Sequence, residues 1–229
     1  MVIGNGLLAK TFSDFENDDS VLIFASGVSN STTTNDSEFE REFNMIKSTI
    51  EKCNGKFVYF STCSIDDESV NFSPYVLHKL KIEKYIRKKH HDYLIFRVSN
   101  VIGRCQNKFT ILNYLFNAVK NNIEIDLWKN AQRNFIDKDD LNYIVSQLIK
   151  KNSSNMTINI ASRESIFVFD ALQLIERFSN KMANFNFIEK GFELDIDVSF
   201  ISSYLDKIEL EKGRGIQYLN NMLIKYYQK

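Results

Sequence analysis

Residues 1–9, Met1-Val2-Ile3-Gly4-Asn5-Gly6-Leu7-Leu8-Ala9, join a short apolar run to a helix-forming run through two glycines. The spacing fits G-x-G-x-x-G/A, with Ala9 in the third small position. In that pattern the first glycine allows a tight turn after a strand. The second lets a pyrophosphate approach the backbone, and the small third residue lets the helix pack on the strand. Free N–H groups and the dipole at the helix N-terminus favour the anion. The same residues also read as a plain strand-turn-helix connection, so the turn predicts a βα unit first and a dinucleotide site second.

Outward from that turn, strand-length apolar runs alternate with helix-length ones. A helix is expected over 7–15, then a strand over 21–25 (VLIFA), too short for a buried helix. Ser37 with Glu40 three residues on reads as a capping box for a helix running to about Cys53. Strand 56–61 (KFVYFS), a polar loop over 66–73, a helix over 75–89 opened by Pro74, and strand 93–98 (YLIFRV) follow. The order β-α-β-α-β-α-β predicts a parallel sheet covered on both faces. Beyond Gly103 the expected elements are helix 109–121, strand 123–127, helix 139–151, strand 156–160 and helix 165–179. Short strands and a final helix, 215–227, complete the chain. Asp139 and Asp140 read as acids that complement a helix N-terminus. Two regions are expected, a cofactor-binding core over 1–104 and, over 105–229, remaining core elements with a small lobe that is not independent.

The chain has 229 residues, enough for one domain with an appendage and for a core that hides roughly 70% of the unfolded surface. Lys+Arg and Asp+Glu number 29 each, so the formal charge is zero, which argues against a nucleic-acid face or a basic membrane patch. The basic run 84–91 (KYIRKKHH) falls at the end of a helix, where cations complement the dipole. Aromatic residues make up 13% and proline occurs once, which argues against disorder. Cys53, Cys63 and Cys105 form no C-x-x-C pair and read as reduced thiols of a cytoplasmic protein. His78, His90 and His91 build no metal motif, so no metal is expected. No signal peptide and no run of about 18 apolar residues is found, so no membrane span is expected.

Tyr75-Val76-Leu77-His78-Lys79 is Y-x-x-x-K near the start of a helix. Positions i and i+4 share a face, so phenol and ammonium stand side by side. A neighbouring cation favours the phenolate, which prepares the tyrosine to exchange a proton with a hydroxyl or carbonyl. With 10 tyrosines in the chain, such a pair also arises by chance on a solvated helix face. Its position after strand 56–61, which ends toward Ser61-Thr62, favours the chemical reading, because open α/β sheets bind ligands at strand ends.

Taken together, these pieces resemble the extended short-chain dehydrogenase/reductase superfamily, specifically its NAD-dependent epimerase/dehydratase family acting on nucleotide sugars. The matching pieces, in the family's order, are Gly4–Ala9, Ala25-Ser26-Gly27, Ser61-Thr62 and Tyr75…Lys79. Then come Arg97-Val98-Ser99-Asn100-Val101-Ile102-Gly103, Arg133-Asn134-Phe135-Ile136 with Asp139-Asp140-Leu141, and Asn159-Ile160. The resemblance implies an α/β, Rossmann-like parallel sheet with helices on both faces, plus a small C-terminal α+β substrate lobe. It implies Tyr75 as general acid/base, Lys79 as its tuner and nicotinamide-ribose ligand, and Thr62 as holder of the reacting oxygen. Cofactor contacts are implied at Gly4, Asn5, Gly6, Leu7, Leu8, Ala25, Ser26, Ser61, Tyr75, Lys79 and Val98. Substrate contacts are implied at Thr62, Cys63, Asn100 and Arg133. A homodimer through helices 38–53 and 75–89 is implied as well.

Two departures matter. The acid that normally binds the adenine ribose about twenty residues after the glycine turn is replaced by Phe24 and Ala25. Only residues 10–20 separate Ala9 from the next strand, so the sheet should be truncated at its second and third strands. The choice between NADP and NAD is therefore left open. The other departure is Cys63-Ser64 after Thr62, where the dehydratases have Asp-Glu. The expectation is NAD(P)H-dependent reduction of a keto group on a nucleotide-linked deoxysugar. An epimerase with tightly bound NAD and a non-catalytic cofactor sensor or scaffold are the alternatives.

Overall fold

The computed structural model describes residues 1–105, 107–108 and 110–228. The chain forms two compact units, each built from separate stretches. The first comprises residues 1–65, 70–98 and 138–160, and the second 66–69, 99–137 and 161–229.

In the first unit β1 (Val2–Ile3) leads through the glycine turn into α1 (Leu7–Thr11) and then β2 (Val21–Phe24). After these come α2 (Asp36–Ile50), β3 (Lys56–Thr62), α3 (Pro74–Lys89) and β4 (Tyr93–Val98). The chain then passes through the second unit's β5 (Asn100–Ile102), α4 (Ile111–Asn121), β6 (Ile125–Trp128), β7 (Gln132–Arg133) and β8 (Phe135–Asp137). It returns to the first unit with α5 (Lys138–Lys150) and β9 (Met156–Ile160).

The sheet order is β1-β2-β3-β4-β9, and every pair is parallel. All seven residues of β3 are buried, as expected of a central strand covered on both faces. On one face Leu22, Phe24, Phe57, Tyr59 and Ile95 pack against Ile46 and Ile50 of α2 and Ile82 and Ile86 of α3. Elsewhere in the unit Phe12, just after α1, stacks on Phe60 with centroids 5.1 Å apart, and α1 packs on α5. In the doubly wound order 3-2-1-4-5-6 the first strand lies inside the sheet. Here β1 is the edge strand among the described residues, so the sheet is truncated on that side.

The second unit is α+β. It adds β10 (Ile166–Phe167), α6 (Val168–Ser179), β11 (Phe185–Ile188), α7 (Ser202–Lys212) and α8 (Gly215–Tyr227). Its ladders are β5–β8 and β6–β11, both parallel, and β7–β10, antiparallel. The final helix is tied down by buried Asp137, which accepts from the Tyr226 hydroxyl at 2.6 Å and from Lys225 Nζ at 2.6 Å. Tyr227 stacks on Phe116 at 4.3 Å.

Several sequence expectations are corrected. The cap of α2 is Asn35, not Ser37: Asn35 Oδ1 accepts from the Ser37 backbone N at 3.1 Å and from its hydroxyl at 2.8 Å. The run 7–15 is one short α-helix followed by a separate 3-10 turn over Ser13–Phe15. The strand expected over 123–127 is Ile125–Trp128, because Asn122 closes α4 in a left-handed conformation. The helix expected from 165 begins at Val168, since Ile166 and Phe167 pair with β7. Short strands were expected over much of the last fifty residues, where the second helix, α7, is found instead. Ile201, Tyr204, Leu205 and Ile208 are buried at helical spacing there. Phe109, where α4 was expected to begin, lies outside the described residues.

Moving the cap has a measurable consequence. Asn35→Ala should lower stability to urea by about 1 kcal/mol, whereas Ser37→Ala should stay within about 0.5 kcal/mol.

Candidate active site

The strand register lines up the C-terminal ends of the parallel sheet. Ile3 pairs with Phe24, Phe24 with Tyr59, and Thr62 with Val98. Gly4, Ala25-Ser26, Ser61-Thr62 and Val98 therefore follow or end successive strands along the edge where such sheets take ligands. Gly4 has φ +134°, and a Cβ there would stand 2.5 Å from the Ala25 carbonyl oxygen, so only glycine fits the turn. Gly6 caps α1 with extended backbone and no side-chain cap. A Cβ at Gly6 would meet nothing within 4 Å, so the backbone lies open beside exposed Asn5 and half-buried Leu7 and Leu8.

Tyr75 lies buried in the first turn of α3, where Ser73 caps the helix and Pro74 opens it. The Lys79 ammonium stands 5.6 Å from the centroid of the Tyr75 ring, so the helix brings the expected pair together. Lys79 is itself buried, and its Nζ donates to Glu42 Oε1 at 2.9 Å and to the Tyr59 hydroxyl at 3.0 Å. That hydroxyl donates to the same Glu42 oxygen at 2.7 Å. The other oxygen, Oε2, accepts from the Val28 backbone N at 2.7 Å and lies 3.1 Å from His78 Nε2.

Glu42 is fully buried. Burial pushes its carboxyl up, but the Lys79 charge, the His78 contact, the Val28 N–H and the Lys79 hydrogen bond outweigh it and bring it down to about 2. The Tyr59 phenol is driven the other way, well above its ordinary value, by its own burial and by the charge and hydrogen bond of Glu42. Gly27 leaves room for this cluster: a Cβ there would stand 2.8 Å from Lys79 Nζ and 2.9 Å from Glu42 Oε1.

Thr62 ends β3, buried, with its hydroxyl donating to Ser64 Oγ at 2.9 Å and accepting from the Ser64 backbone N at 3.0 Å. Ser61 donates to Glu83 Oε1 at 2.7 Å. Burial raises Glu83, and bonds from Arg97 and Ser61 with the Arg97 and Arg87 charges bring it net below its ordinary value. Cys63 is buried and its thiol donates to the Arg97 carbonyl at 3.1 Å.

The remaining expected residues belong to the second unit. Asn100 opens β5, and its amide donates to the Asn134 carbonyl at 2.8 Å. Arg133, in β7, donates from Nη1 to Asp67 Oδ2 at 3.2 Å and to the Gln132 carbonyl at 2.7 Å. Asp67 also accepts from Ser69, so the guanidinium faces an anion already anchored in its loop.

The NAD dependent epimerase/dehydratase family matches residues 4–161. The chain belongs to this family. Among solved structures, the fold is similar to the UDP-glucuronic acid 4-epimerase of Bacillus cereus in complex with UDP-glucuronic acid and NAD. That match has 22% identity and a TM-score of 0.69, and covers 95% of this chain and 79% of that one. The UDP-N-acetylglucosamine 4-epimerase of Bacillus cereus is 18% identical, with a TM-score of 0.68 and coverage of 99% and 83%. A hypothetical dTDP-4-dehydrorhamnose reductase from Sulfolobus tokodaii is 17% identical, with a TM-score of 0.59 and coverage of 82% and 73%. None of the curated proteins compared matches the chain.

NAD is the cofactor of the epimerase/dehydratase family. The open, uncapped backbone at Gly6 and the obligatory glycine at Gly4 fit the pyrophosphate of such a dinucleotide. Among the described residues β1 is an edge strand, and the pair Phe24-Ala25 at the end of β2 is apolar.

Sequence reasoning missed Glu42, Tyr59, His78, Asp67 and Glu83. Glu42 did leave a signal. It sits with Phe39, Ile46 and Ile50 on the buried stripe of α2, where a lone acid requires a partner.

The Glu42 carboxyl gives a testable pH dependence. Its folded value, about 2, lies below its ordinary 4.5, so its stabilisation is present above about pH 4.5 and is lost as the pH falls toward 2. In urea unfolding across that range, Glu42→Gln should remove about 3 kcal/mol of the acid-induced loss, while Glu83 continues to contribute in both proteins.

Proposed function

We propose that the protein epimerises a nucleotide-linked sugar at a secondary hydroxyl, keeping its NAD through the cycle. The observation that carries this reading is the Lys79 ammonium held 5.6 Å from the Tyr75 ring, in a chain whose glycine turn fits a dinucleotide. Family membership supports it, as do two structural neighbours that are 4-epimerases of UDP-sugars.

NAD, when bound, supplies the acceptor and later the donor of the hydride. Tyr75 takes the hydroxyl proton as the sugar carbon is oxidised and returns it as the carbonyl is reduced on its opposite face. Lys79 places a cation beside the Tyr75 ring during both proton transfers. Thr62 would hold the reacting oxygen, and Gly4, Gly6 and Leu7 would face the pyrophosphate, with Ala25, Ser26, Ser61 and Val98 along the same strand ends. In the second unit, Asn100 and Arg133 are read as nucleotide-sugar ligands, since a planar guanidinium suits a diphosphate. Cys63-Ser64 carries no acid-base pair after Thr62, which disfavours dehydration.

A ketoreductase remains the second reading, favoured by the bare adenosine end, where few contacts would hold the cofactor between turnovers. A homodimer and a cytoplasmic location, where the thiols of Cys53, Cys63 and Cys105 stay reduced, belong to the same proposal.

The test is anaerobic incubation of the purified protein with UDP-glucose, UDP-glucuronic acid and UDP-N-acetylglucosamine, with products separated by chromatography and bound cofactor identified by mass spectrometry. Epimer formation without added cofactor is expected. Stoichiometric consumption of added NADH or NADPH with a 4-keto sugar nucleotide, and no epimer, would replace this reading by the ketoreductase. Tyr75→Phe should lower turnover about a thousandfold. Full activity in that variant would contradict the role of Tyr75. Arg133→Met should raise KM for the sugar nucleotide about tenfold with kcat retained.

A further inference from the structure

The acid/base pair that the proposed function uses is not alone. Glu42 meets partners from three directions: His78 and Lys79 on α3, Tyr59 on β3, and the Val28 backbone N after β2. Phe39, one helical turn before Glu42, lies against the His78 ring with centroids 4.6 Å apart, which fixes the imidazole beside the carboxylate. Arg41, the neighbouring cation on α2, bonds instead to the Ser26 carbonyl. Glu83 and Tyr75 act on Tyr59 only through space.

An ammonium beside a phenol acts as a full unit charge only when it stands alone. Here a carboxylate oxygen lies 2.9 Å from that ammonium, so the pair presents a dipole whose field falls off faster than that of a cation. The carboxylate also sets where the ammonium stands, by one direct bond and by a second route through the Tyr59 hydroxyl. Gly27 admits the arrangement by leaving out the one Cβ that would crowd both groups.

We propose that Glu42 is a positioning residue of the Tyr75 site, holding the Lys79 ammonium in place directly and through Tyr59 and limiting how strongly its charge acts on the Tyr75 phenol. The inference rests on the reading of Tyr75 as acid/base. Glu42 itself touches neither substrate nor cofactor in this role. Among the described residues, Lys79, Tyr59 and His78 are the titratable groups on the carboxylate, and the Glu42 variants leave all three in place.

The experiment compares wild type, Glu42→Gln and Glu42→Asp by the pH profile of kcat for epimerisation of the UDP-sugar found active. A second readout follows ligand-free protein by NMR of tyrosine labelled at the ζ carbon, with the Tyr75 signal assigned by its loss in Tyr75→Phe. Glu42→Gln keeps the shape and removes the charge. Its acid limb and its Tyr75 titration should both move to lower pH by about one unit, with KM within about twofold. Glu42→Asp keeps the charge and should return both to the wild-type position. Superimposable profiles and titrations in wild type and Glu42→Gln would overturn the inference. A fully active Tyr75→Phe would sink the acid/base reading instead, while the ligand-free titration would still decide the part played by Glu42. Should Glu42→Gln not fold, Tyr59→Phe removes one of the two routes without altering charge. It should lower kcat about fivefold at unchanged KM, and an unchanged kcat would overturn the inference.

Discussion

A carboxylate and an ammonium share the interior of the first unit, Glu42 from α2 and Lys79 from α3, at 2.9 Å. Neither charge could remain there without the other, since a lone buried charge costs several kcal/mol. The pair therefore constrains how α2 and α3 lie on the sheet. Ile46, Ile50, Ile82 and Ile86 supply the non-directional part of that layer, and the ion pair supplies direction. Tyr59 joins the sheet to the helices through the same carboxylate, and Val28 joins the loop after β2. The loop after β2, β3 and α3 are thereby referred to one side chain on α2, and its partner Lys79 stands four residues along α3 from Tyr75.

The same device recurs at the neighbouring strand. Glu83, also fully buried, accepts from Ser61 on β3 and from Arg97 on β4, with Arg87 closing an i,i+4 pair on α3. The end of β3, where Thr62 stands, is thus held between two buried carboxylates on two helices. A polar network of this kind stabilises little compared with apolar packing of equal volume, but it admits few alternative geometries. The gain is a fixed position for the hydroxyls and the ammonium along one edge of the sheet, which is what proton transfer needs.

How much of this was legible depended on whether a residue's signal is local. The alternation of apolar runs from Val21 to Val98 gave the parallel sheet, because strands covered on both faces must be apolar throughout. Gly4 and Gly6 marked the turn, since backbone freedom is encoded in single residues. The short span between Ala9 and Val21 located the truncated edge. Helix α7 was missed because its charged residues, such as Asp206, Lys207, Glu209 and Glu211, mask a narrow apolar stripe. In the site, Tyr75 and Lys79 are four residues apart and were visible together. Glu42 lies 37 positions from Lys79, and no spacing rule connects them. Its one trace, an acid on the buried face of an amphipathic helix, says that a partner exists and not which one. Asp67, 66 positions from Arg133, escaped for the same reason.

A double-mutant cycle on stability measures how far the Glu42–Lys79 pair organises the site. Urea unfolding of wild type, Glu42→Gln, Lys79→Met and the double variant at neutral pH should give a coupling of about 2 kcal/mol, each single change stranding a buried partner that the double change relieves. Strictly additive losses would mean that the two side chains do not depend on one another and that the pair does not organise the site.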